Sequence, residues 1–409
     1  MIDAVVVGGG PAGSVCAARL ASLGRTVVVL ERDHHPRFHL GESLLPNSLG
    51  VLEAIGVLGD VRARFLVKNG ARFVDGTDAA RSTRYAFADA FRVRWEHAFE
   101  VPRDEFDELL FRRAGTCGAE LREGWEATRV LRDGARVTGV EARAPDGEIH
   151  EVPARVVVDA TGRDAMIARA GHDTKRMAHL DRTALFTQVR GGWRDAGDRE
   201  GDIQIVVAGE AGERCWWWLI PFADGRTSVG AVVSSAWVRR RREGTTGPEG
   251  LFDAALGEAP TVVQMLRGAE RLFAPRATAD FSFRVDHLHG EGWLVLGDAA
   301  GFIDPLFSTG AHLAMNGALK AAGAIDDALA RGDLSPGRFD AWEREMRAGA
   351  DLFVGAVQAF YAGDLVSYLF AEPQHPFLRR AITSLLAGDV FDGEARWASE
   401  MRARFPVRS

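Results

Sequence analysis

The sequence predicts an α/β fold in which a Rossmann-like domain is interleaved with an antiparallel-sheet lobe and followed by a helical C-terminal region. Three observations carry this. Residues 2–7 form an apolar strand that runs into Gly8-Gly9-Gly10-Pro11-Ala12-Gly13. A helical pattern through Ala17, Ala18, Leu20 and Leu23 follows, and a second apolar strand at 26–30 ends on Glu31. Around residues 85–95 and again across 183–233, apolar and polar residues alternate as they do on half-buried strands. Beyond residue 338 the apolar spacing is helical, through 338–362, 377–386 and 395–405.

In the glycine turn, Gly8 permits the tight bend, Gly10 lets the backbone approach a pyrophosphate, and Gly13 lets helix and strand pack closely. Glu31 stands where a ribose hydroxyl is held; Ala12 and Arg32 complete this group of candidate cofactor contacts. The device serves FAD and NAD alike.

The next segment, 37–46, contains Gly41-Glu42-Ser43 ahead of a helical pattern through Leu49, Leu52 and Ile55. Ser43 either caps that helix or touches a cofactor. Residues 61–67 resemble a short helix, and a lysine such as Lys68 is by default solvated. Arg103 opens a helix rich in acids: it either faces the cofactor or pairs with them. Strands follow at 127–131, 137–142 and 152–160, the first two joined by an Asp133-Gly134 hairpin signal. The third ends in Asp159-Ala160-Thr161-Gly162-Arg163, whose small residues allow close backbone approach. On the strand at 216–220, Trp216 and Trp218 face one side and Trp217 the other; two indoles on one face make either a wall or ordinary sheet packing. The run Arg239-Arg240-Arg241-Arg242 reads as a solvated loop or helix end. A short strand at 293–296 then leads into Gly297-Asp298-Ala299-Ala300-Gly301. After Pro305, Ser308-Thr309-Gly310 open a long helix that ends near Gly332. A helix start offers free N–H groups and suits an anion, and Asp298 at a strand end suits a polyol.

Composition narrows the classes. The chain has 409 residues, 46% hydrophobic and 26% charged, with a net charge of −7, so nucleic acid is not an expected partner. Cys16, Cys117 and Cys215 are too few and too far apart for a disulfide framework or a metal site. No apolar run is long enough to span a bilayer and no signal peptide precedes the first strand, so a cytoplasmic location without membrane attachment is expected. The expected organisation interleaves cofactor segments (about 1–60, 100–165 and 285–345) with a sheet lobe (about 66–100 and 180–284) and ends in a helical region, 346–409. The aromatic residues Phe353, Phe360, Tyr361, Tyr368 and Phe370 form a stripe there, either core or pocket wall.

Three separated segments, 8–31, 159–163 and 297–310, converge in this order in the FAD-binding fold of aromatic hydroxylases, which the chain resembles. Within that superfamily it is similar to the flavin-dependent halogenases of the phenol and pyrrole branch. Trp216-Trp217-Trp218-Leu219-Ile220-Pro221 resembles the family's WxWxIP; Lys68-Asn69-Gly70-Ala71-Arg72-Phe73 resembles its catalytic-lysine context; residues 302–310 resemble its flavin and halide loop. The resemblance implies FAD, used as FADH2, with O2 and chloride or bromide. It implies FAD contacts at Gly8, Gly10, Ala12, Gly13, Glu31, Arg32, Ser43, Arg103, Asp159, Gly162, Asp298, Pro305 and Gly310. Halide would sit at Ser308, Thr309 and Gly310. Hypohalous acid would travel to Lys68, which forms a haloamine or activates the acid by hydrogen bonding. Trp216, Trp218, Pro221 and Phe307 would shield the substrate from the flavin. The implied partners are a flavin reductase and an aromatic substrate, free or carried on an acyl or peptidyl carrier protein. Arg379 and Arg380 are either simply solvated or contacts for an acidic carrier surface.

One departure matters. Halogenases of free tryptophan place a glutamate just before Ser-Thr-Gly; here Phe307 stands there, which leaves the general base unassigned. The competing readings are an NAD(P)H-dependent aromatic hydroxylase, a flavin-dependent isoprenoid reductase and a non-catalytic flavin-binding protein. None of these needs Lys68 together with the tryptophan run.

Overall fold

The structure, a computed structural model, describes residues 1–177, 180–209, 214–241, 247–279, 282–392 and 395–408. Its organising layer is a sheet in the order His289–Gly290, Trp293–Val295, Ile149–Asp159, Ile2–Val7, Val27–Glu31, Glu120–Glu123. From Trp293–Val295 to Glu120–Glu123 the strands are parallel. Their valine-rich runs are buried on both faces, as parallel strands require. Val7 lies opposite Asp159, and Asp159 opposite Val295. Three strands therefore end at one level, and the loops after residues 7, 159 and 296 leave the same edge. That edge is where ligands bind in open parallel sheets. The hairpin of Glu126–Asp133 and Arg136–Arg143 extends Ile149–Asp159 antiparallel, as its turn signal predicts.

The second sheet runs Glu270–Arg271, Arg182–Arg190, Arg226–Ser234, Cys215–Pro221, Ile203–Ala208, Gly70–Asp75, Ser82–Ala86, all antiparallel save the pairing of Gly70–Asp75 with Ile203–Ala208. Its strands, with Arg276–Ala279 also paired to Arg182–Arg190, come from residues 70–86 and 182–279, so the lobes interleave along the chain. On Cys215–Pro221 the alternation holds: Trp216 and Trp218 join the main core, whereas Trp217 joins a separate cluster and meets Phe252 edge-on.

Helices cover the parallel sheet. Pro11–Ser22 packs against Arg103–Thr116 and Thr309–Arg331, and Asp340–Ala362 packs on Thr309–Arg331. Gly332, at φ +66°, ends the long helix. The C-terminal segments are helical as predicted, at Pro376–Leu386 and Arg396–Arg404, with an unpredicted short helix at Asp364–Leu369. The boundary expected at 345/346 falls inside Asp340–Ala362. Phe353 and Phe360 are fully buried core residues.

Several expectations fail for identifiable reasons. The helix expected at 61–67 is Leu58–Arg64, and its last apolar residues belong to a strand, Leu66–Lys68, paired with Ala98–Glu100. The alternation at 85–95 makes one strand, Ser82–Ala86; Phe87–Asp89 turns into a 3-10 helix, and irregular chain follows. Its aromatic residues pack between elements: Phe91, for example, lies against Phe377. The basic run closes the helix Ser235–Arg241, where Arg239 and Arg240 follow its buried Trp237 and Val238; Arg242 lies outside the described residues. The three cysteines are free. Among the described residues no helix is long and apolar enough to cross a membrane.

Candidate active site

A cavity of about 1280 Å³ opens along the shared strand edge, between the glycine turn and the second sheet. Its nucleotide end is made of backbone. Gly8 has φ +105°, and a Cβ there would lie 2.3 Å from the Ala160 carbonyl oxygen. A Cβ on Gly13 would lie 1.9 Å from the Gly8 oxygen, so Gly13 serves packing and not the cavity wall. Gly10 and Ala12 do line the wall, and a Cβ on Gly10 would meet nothing nearer than Arg37, at 3.6 Å. The Glu31 carboxylate is on the wall but already engaged: it accepts from the Gly9 N–H (2.7 Å), the Asp33 N–H (2.9 Å) and Arg37 (3.3 Å). It therefore fixes the glycine turn as well as facing a ribose position. Arg32 reaches the wall and pairs with Asp164.

Asp159 is not on the wall. Its fully buried carboxylate accepts from the Thr161 N–H and hydroxyl (3.0 and 2.6 Å) and the Ile167 N–H (2.7 Å), shaping the 160–163 turn whose Thr161 and Gly162 do face the cavity. Arg103 pairs with an acid of its own helix and also reaches the cavity. It forms a bidentate pair with Asp107 (2.7 and 2.9 Å), donates to the Leu40 oxygen (2.6 Å), and still borders the cavity. Asp298 lies on the wall, where burial pushes its carboxyl up to about 6 against the pull of Arg103 and Arg163.

The loop at 302–310 arrives at the same cavity. Asp304 caps the 3-10 turn Pro305–Phe307 by accepting from the Leu306 N–H at 3.0 Å. Ser308, at φ +56°, turns the chain into Thr309–Arg331, whose first N–H groups lack helical partners. Pro305, Ser308, Thr309 and Gly310 line the wall. Phe307 does not: it is 1% exposed and turns into the core. Trp216 and Trp218 form the facing wall, with ring centroids 5.9 Å apart, while Pro221 ends the strand away from it. Trp216 donates to the Tyr361 hydroxyl (3.0 Å), and that hydroxyl donates to Asp304 (2.8 Å). The tryptophan wall, the C-terminal helix and the loop are thus one hydrogen-bonded unit, joined through Tyr361 of the aromatic stripe.

Lys68 stands behind the wall. It is 1% exposed, donates to the Ser43 hydroxyl at 2.7 Å and the Leu44 oxygen at 3.1 Å, and lies 5.3 Å from the Phe87 ring centre. The solvated default for this lysine is wrong. Burial lowers its pKa, opposed by Glu100 and Asp202. Ser43, which is on the wall, neither caps the following helix nor stays free, because it joins Lys68 to Glu100 at 3.1 Å. Glu42 also lines the wall; burial pushes it up to about 7, and one of its oxygens is buried without a partner. Sequence reasoning missed Glu42 and Glu100. The available signal was an acid set in an apolar strand, Ala98-Phe99-Glu100-Val101.

Arg379 and Arg380 border no part of this cavity. Arg379 donates to Gln374 and the Arg84 oxygen, and Arg380 lies over Phe91 and reaches the Ala90 oxygen. Arg379 is a strut between the C-terminal helices and the second sheet, whereas Arg380 is exposed.

A glycine-turn sheet and a tryptophan-faced sheet enclosing one elongated cavity define a two-lobed flavoprotein oxidoreductase. A model of the tryptophan halogenase family matches residues 80–364, and one of NAD(P)-binding Rossmann-like domains matches residues 6–48. The chain belongs to the tryptophan halogenase family and is a flavin-dependent halogenase. It is 30% identical to a 1H-pyrrole-2-carbonyl-[peptidyl-carrier protein] brominase of Pseudoalteromonas luteoviolacea, over 96% of this chain and 93% of that one. It is also 30% identical to the corresponding chlorinase of Pseudomonas fluorescens, over 96% and 90%. The solved myxobacterial chondrochloren halogenase, a FAD-dependent halogenase, superposes with a TM-score of 0.82 at 29% identity, covering 99% of this chain and 96% of that one. The cofactor set is FAD in its reduced form, halide and O2.

The residues present fit FAD. The cavity, at about 1280 Å³, is roomy enough for a dinucleotide, Gly10 leaves open space where a side chain would intrude, and two helix N-termini point at it for anionic groups.

Proposed function

We propose that this halogenase modifies a flat, electron-rich ring, a phenol or a pyrrole, presented on a carrier protein, and that Lys68 delivers the halogen. Reduced FAD with oxygen supplies the two-electron oxidising equivalent that converts halide to hypohalous acid. The protein's part is placement. The N–H groups at Thr309 and Gly310 hold the halide at a helix start, and Asp304 and Tyr361 fix that turn. The indoles of Trp216 and Trp218 keep the passage dry, which protects hypohalous acid from side reactions. Ser43 is where the cavity wall meets Lys68. The observation that carries the reading is a lysine with almost no exposure, hydrogen-bonded to a wall residue of the cavity that the halide loop also lines. An ammonium or amine so enclosed is suited to holding an electrophilic halogen.

The carrier part of the proposal is supported by two full-length relatives named for pyrrole on a peptidyl carrier protein, one a brominase and one a chlorinase. A ring with its own ionisable N–H or O–H needs less help from an enzymatic base, which accommodates Phe307 where other members carry an acid. Purified protein with FAD, a flavin reductase, O2 and either halide is assayed on free and carrier-bound pyrrole and phenol acids. Halide-dependent product mass is expected, with turnover much faster on the tethered ring; equal turnover on the free acid sinks the carrier part alone. A separate flavin reductase is expected to supply FADH2. Stopped-flow mixing of oxidised protein with NADPH is therefore expected to bleach little flavin, and rapid stoichiometric bleaching favours the hydroxylase reading.

A further inference from the structure

We propose that Glu100 is the acid–base partner of Lys68, exchanging a proton with it through the Ser43 hydroxyl. This rests on the role given to Lys68 above. The strand pairing builds the arrangement: Lys68 lies opposite Ala98, Leu66 opposite Glu100, and an isolated bridge joins Ser43 to Glu100. Lys68 Nζ donates to Ser43 Oγ at 2.7 Å, and Ser43 Oγ donates to Glu100 Oε1 at 3.1 Å. All three are buried, Lys68 at 1%, Ser43 at 3% and Glu100 at 0% exposure. The second Glu100 oxygen has no partner. An unshared buried carboxylate oxygen is costly, so a proton carried part of the time on Glu100 relieves it.

The neighbouring acids have partners of their own. Asp202 pairs with Arg84 and accepts from the Asn69 N–H, and Glu42 accepts from Ser228. Both raise the Glu100 carboxyl electrostatically while Lys68 lowers it; burial dominates and takes it up to about 8. Lys68 moves the opposite way, from burial, against Glu100 and Asp202. The two groups approach each other in proton affinity, the condition for easy transfer.

The steps balance. In the first, the Lys68 ammonium, hypohalous acid and the Glu100 carboxylate give Lys68–NHX, water and protonated Glu100. The N–X bond forms, the O–X bond breaks, one amine proton completes the water and a second passes by Ser43 to Glu100. In the second, the aromatic ring attacks the halogen, the N–X bond breaks with its pair left on nitrogen, and that nitrogen takes one proton from the ring and one from Glu100. Lys68 returns to ammonium and Glu100 to carboxylate.

The halves respond differently to Glu100→Gln. Without the Glu100 charge that favours its ammonium, the buried lysine gives up its proton more readily and takes halogen without that base, whereas nitrogen departure in the second half loses its acid, an effect on the order of a hundredfold. Enzyme loaded with FAD, reductase, O2 and bromide but no aromatic substrate is desalted. Its bound oxidising halogen is titrated with a coloured thiol, then substrate is added and transfer is followed. Glu100→Gln is expected to load as wild type and transfer about a hundredfold more slowly, whereas Ser43→Ala, which keeps the carboxylate and cuts the proton path in both directions, is expected to slow loading and transfer alike. Glu100→Asp is expected to recover part of the transfer. Transfer at the wild-type rate in Glu100→Gln overturns the proposal, as does a parallel loss of loading and transfer in that variant with FAD affinity and melting temperature unchanged. Should Glu100→Gln not fold, Ser43→Ala decides: loading and transfer at the wild-type rates in that variant overturn the proposal. Lys68→Ala separates the two readings. Loading of halogen in that variant refutes the role of Lys68 itself, whereas an empty Lys68→Ala with an unaffected Glu100→Gln refutes only Glu100.

Discussion

The two ends of the cavity are built on opposite principles. The nucleotide end is made of backbone: glycines at 8, 10 and 13, helix N–H groups and one carboxylate that pins the turn, its rim open to solvent and arginine-rich. The lysine end is made of side chains gathered from four distant stretches: Ser43, Lys68, Glu100 and, beyond them, Asp202, each taken out of water and fixed by another. A backbone site depends on chain geometry and tolerates side-chain change around it. A buried polar site depends on every member being present, because a lost partner leaves its neighbour unpaired.

The sharpest test of this contrast is Lys68→Ala. Halogenation is expected to fall by at least about a thousandfold, while FAD binding and oxygen consumption continue, because the nucleotide end is untouched. Lys68→Arg is expected to fail as well, since a guanidinium stays charged and is larger than the site around Nζ. Product mass alongside oxygen uptake checks both. Near-normal halogenation by either variant would place the reactive centre elsewhere.

The opposite end breaks through backbone. In Gly13→Val the new Cβ would fall 1.9 Å from the Gly8 carbonyl oxygen, with no side chain able to move aside. A cost of about 3 kcal/mol or more in stability is expected, with loss of bound FAD. Gly10→Ala is the control: its Cβ enters the cavity, 3.6 Å from Arg37, so FAD affinity should fall while the melting temperature of the FAD-free protein stays put. Calorimetry of both variants, with and without FAD, measures this.

The same contrast explains what was legible in the sequence. The glycine turn was readable because its residues are contiguous and each spacing answers one geometric demand. The shared strand edge was readable too, since three segments end in small residues. Lys68 was named only through its resemblance to a motif; by composition it was a surface lysine, and nothing local shows that residues 43, 68 and 100 meet. Residues 61–67 failed for the same reason: the strand Leu66–Lys68 exists because Ala98–Glu100 pairs with it, a contact that periodicity does not encode. The bonds of Arg379 were not legible because its partners, Gln374 and the Arg84 oxygen, come from turns and strands whose packing is tertiary.

Below the halide loop, His312 tests the cost of burying a polar ring. It is fully buried in the first turns of Thr309–Arg331, with Ser48 Oγ 3.0 Å from Nδ1, and burial pushes it down to about 4. The native ring is therefore neutral where the unfolded chain begins to protonate, so the unfolded state binds more protons below about pH 6.5. Stability present above that pH is lost as pH falls, by about 2 kcal/mol between pH 6.5 and 5 from this group alone. His312→Gln has no such proton to bind. The difference in urea midpoint between the two proteins is expected to shrink at pH 5, and an unchanged difference would mean that the ring is charged in the native state.

The smallest expected effect lies within one strand. Trp216 and Trp217 are neighbours on Cys215–Pro221, both with 1% exposure or less, on opposite faces. Trp216 Nε1 donates to Tyr361, which holds Asp304 and through it the 3-10 turn ahead of Thr309. Trp217 Nε1 has no partner, and its ring simply fills space against Phe252. Replacing each by Phe removes about the same buried volume, so the transfer and cavity costs nearly cancel in the comparison. What remains is one buried hydrogen bond, worth about 1 kcal/mol, by which Trp216→Phe should be the less stable. The functional difference should exceed the energetic one. Freed from the indole, the Tyr361 hydroxyl holds Asp304 less rigidly, and the halide turn loosens with it. Trp216→Phe is therefore expected to raise the halide concentration needed for half-maximal halogenation by several-fold, while Trp217→Phe leaves it unchanged. Equal halide dependence in the two variants would mean that the hydrogen-bonded chain from the tryptophan wall to the loop holds the fold together without setting the halide site.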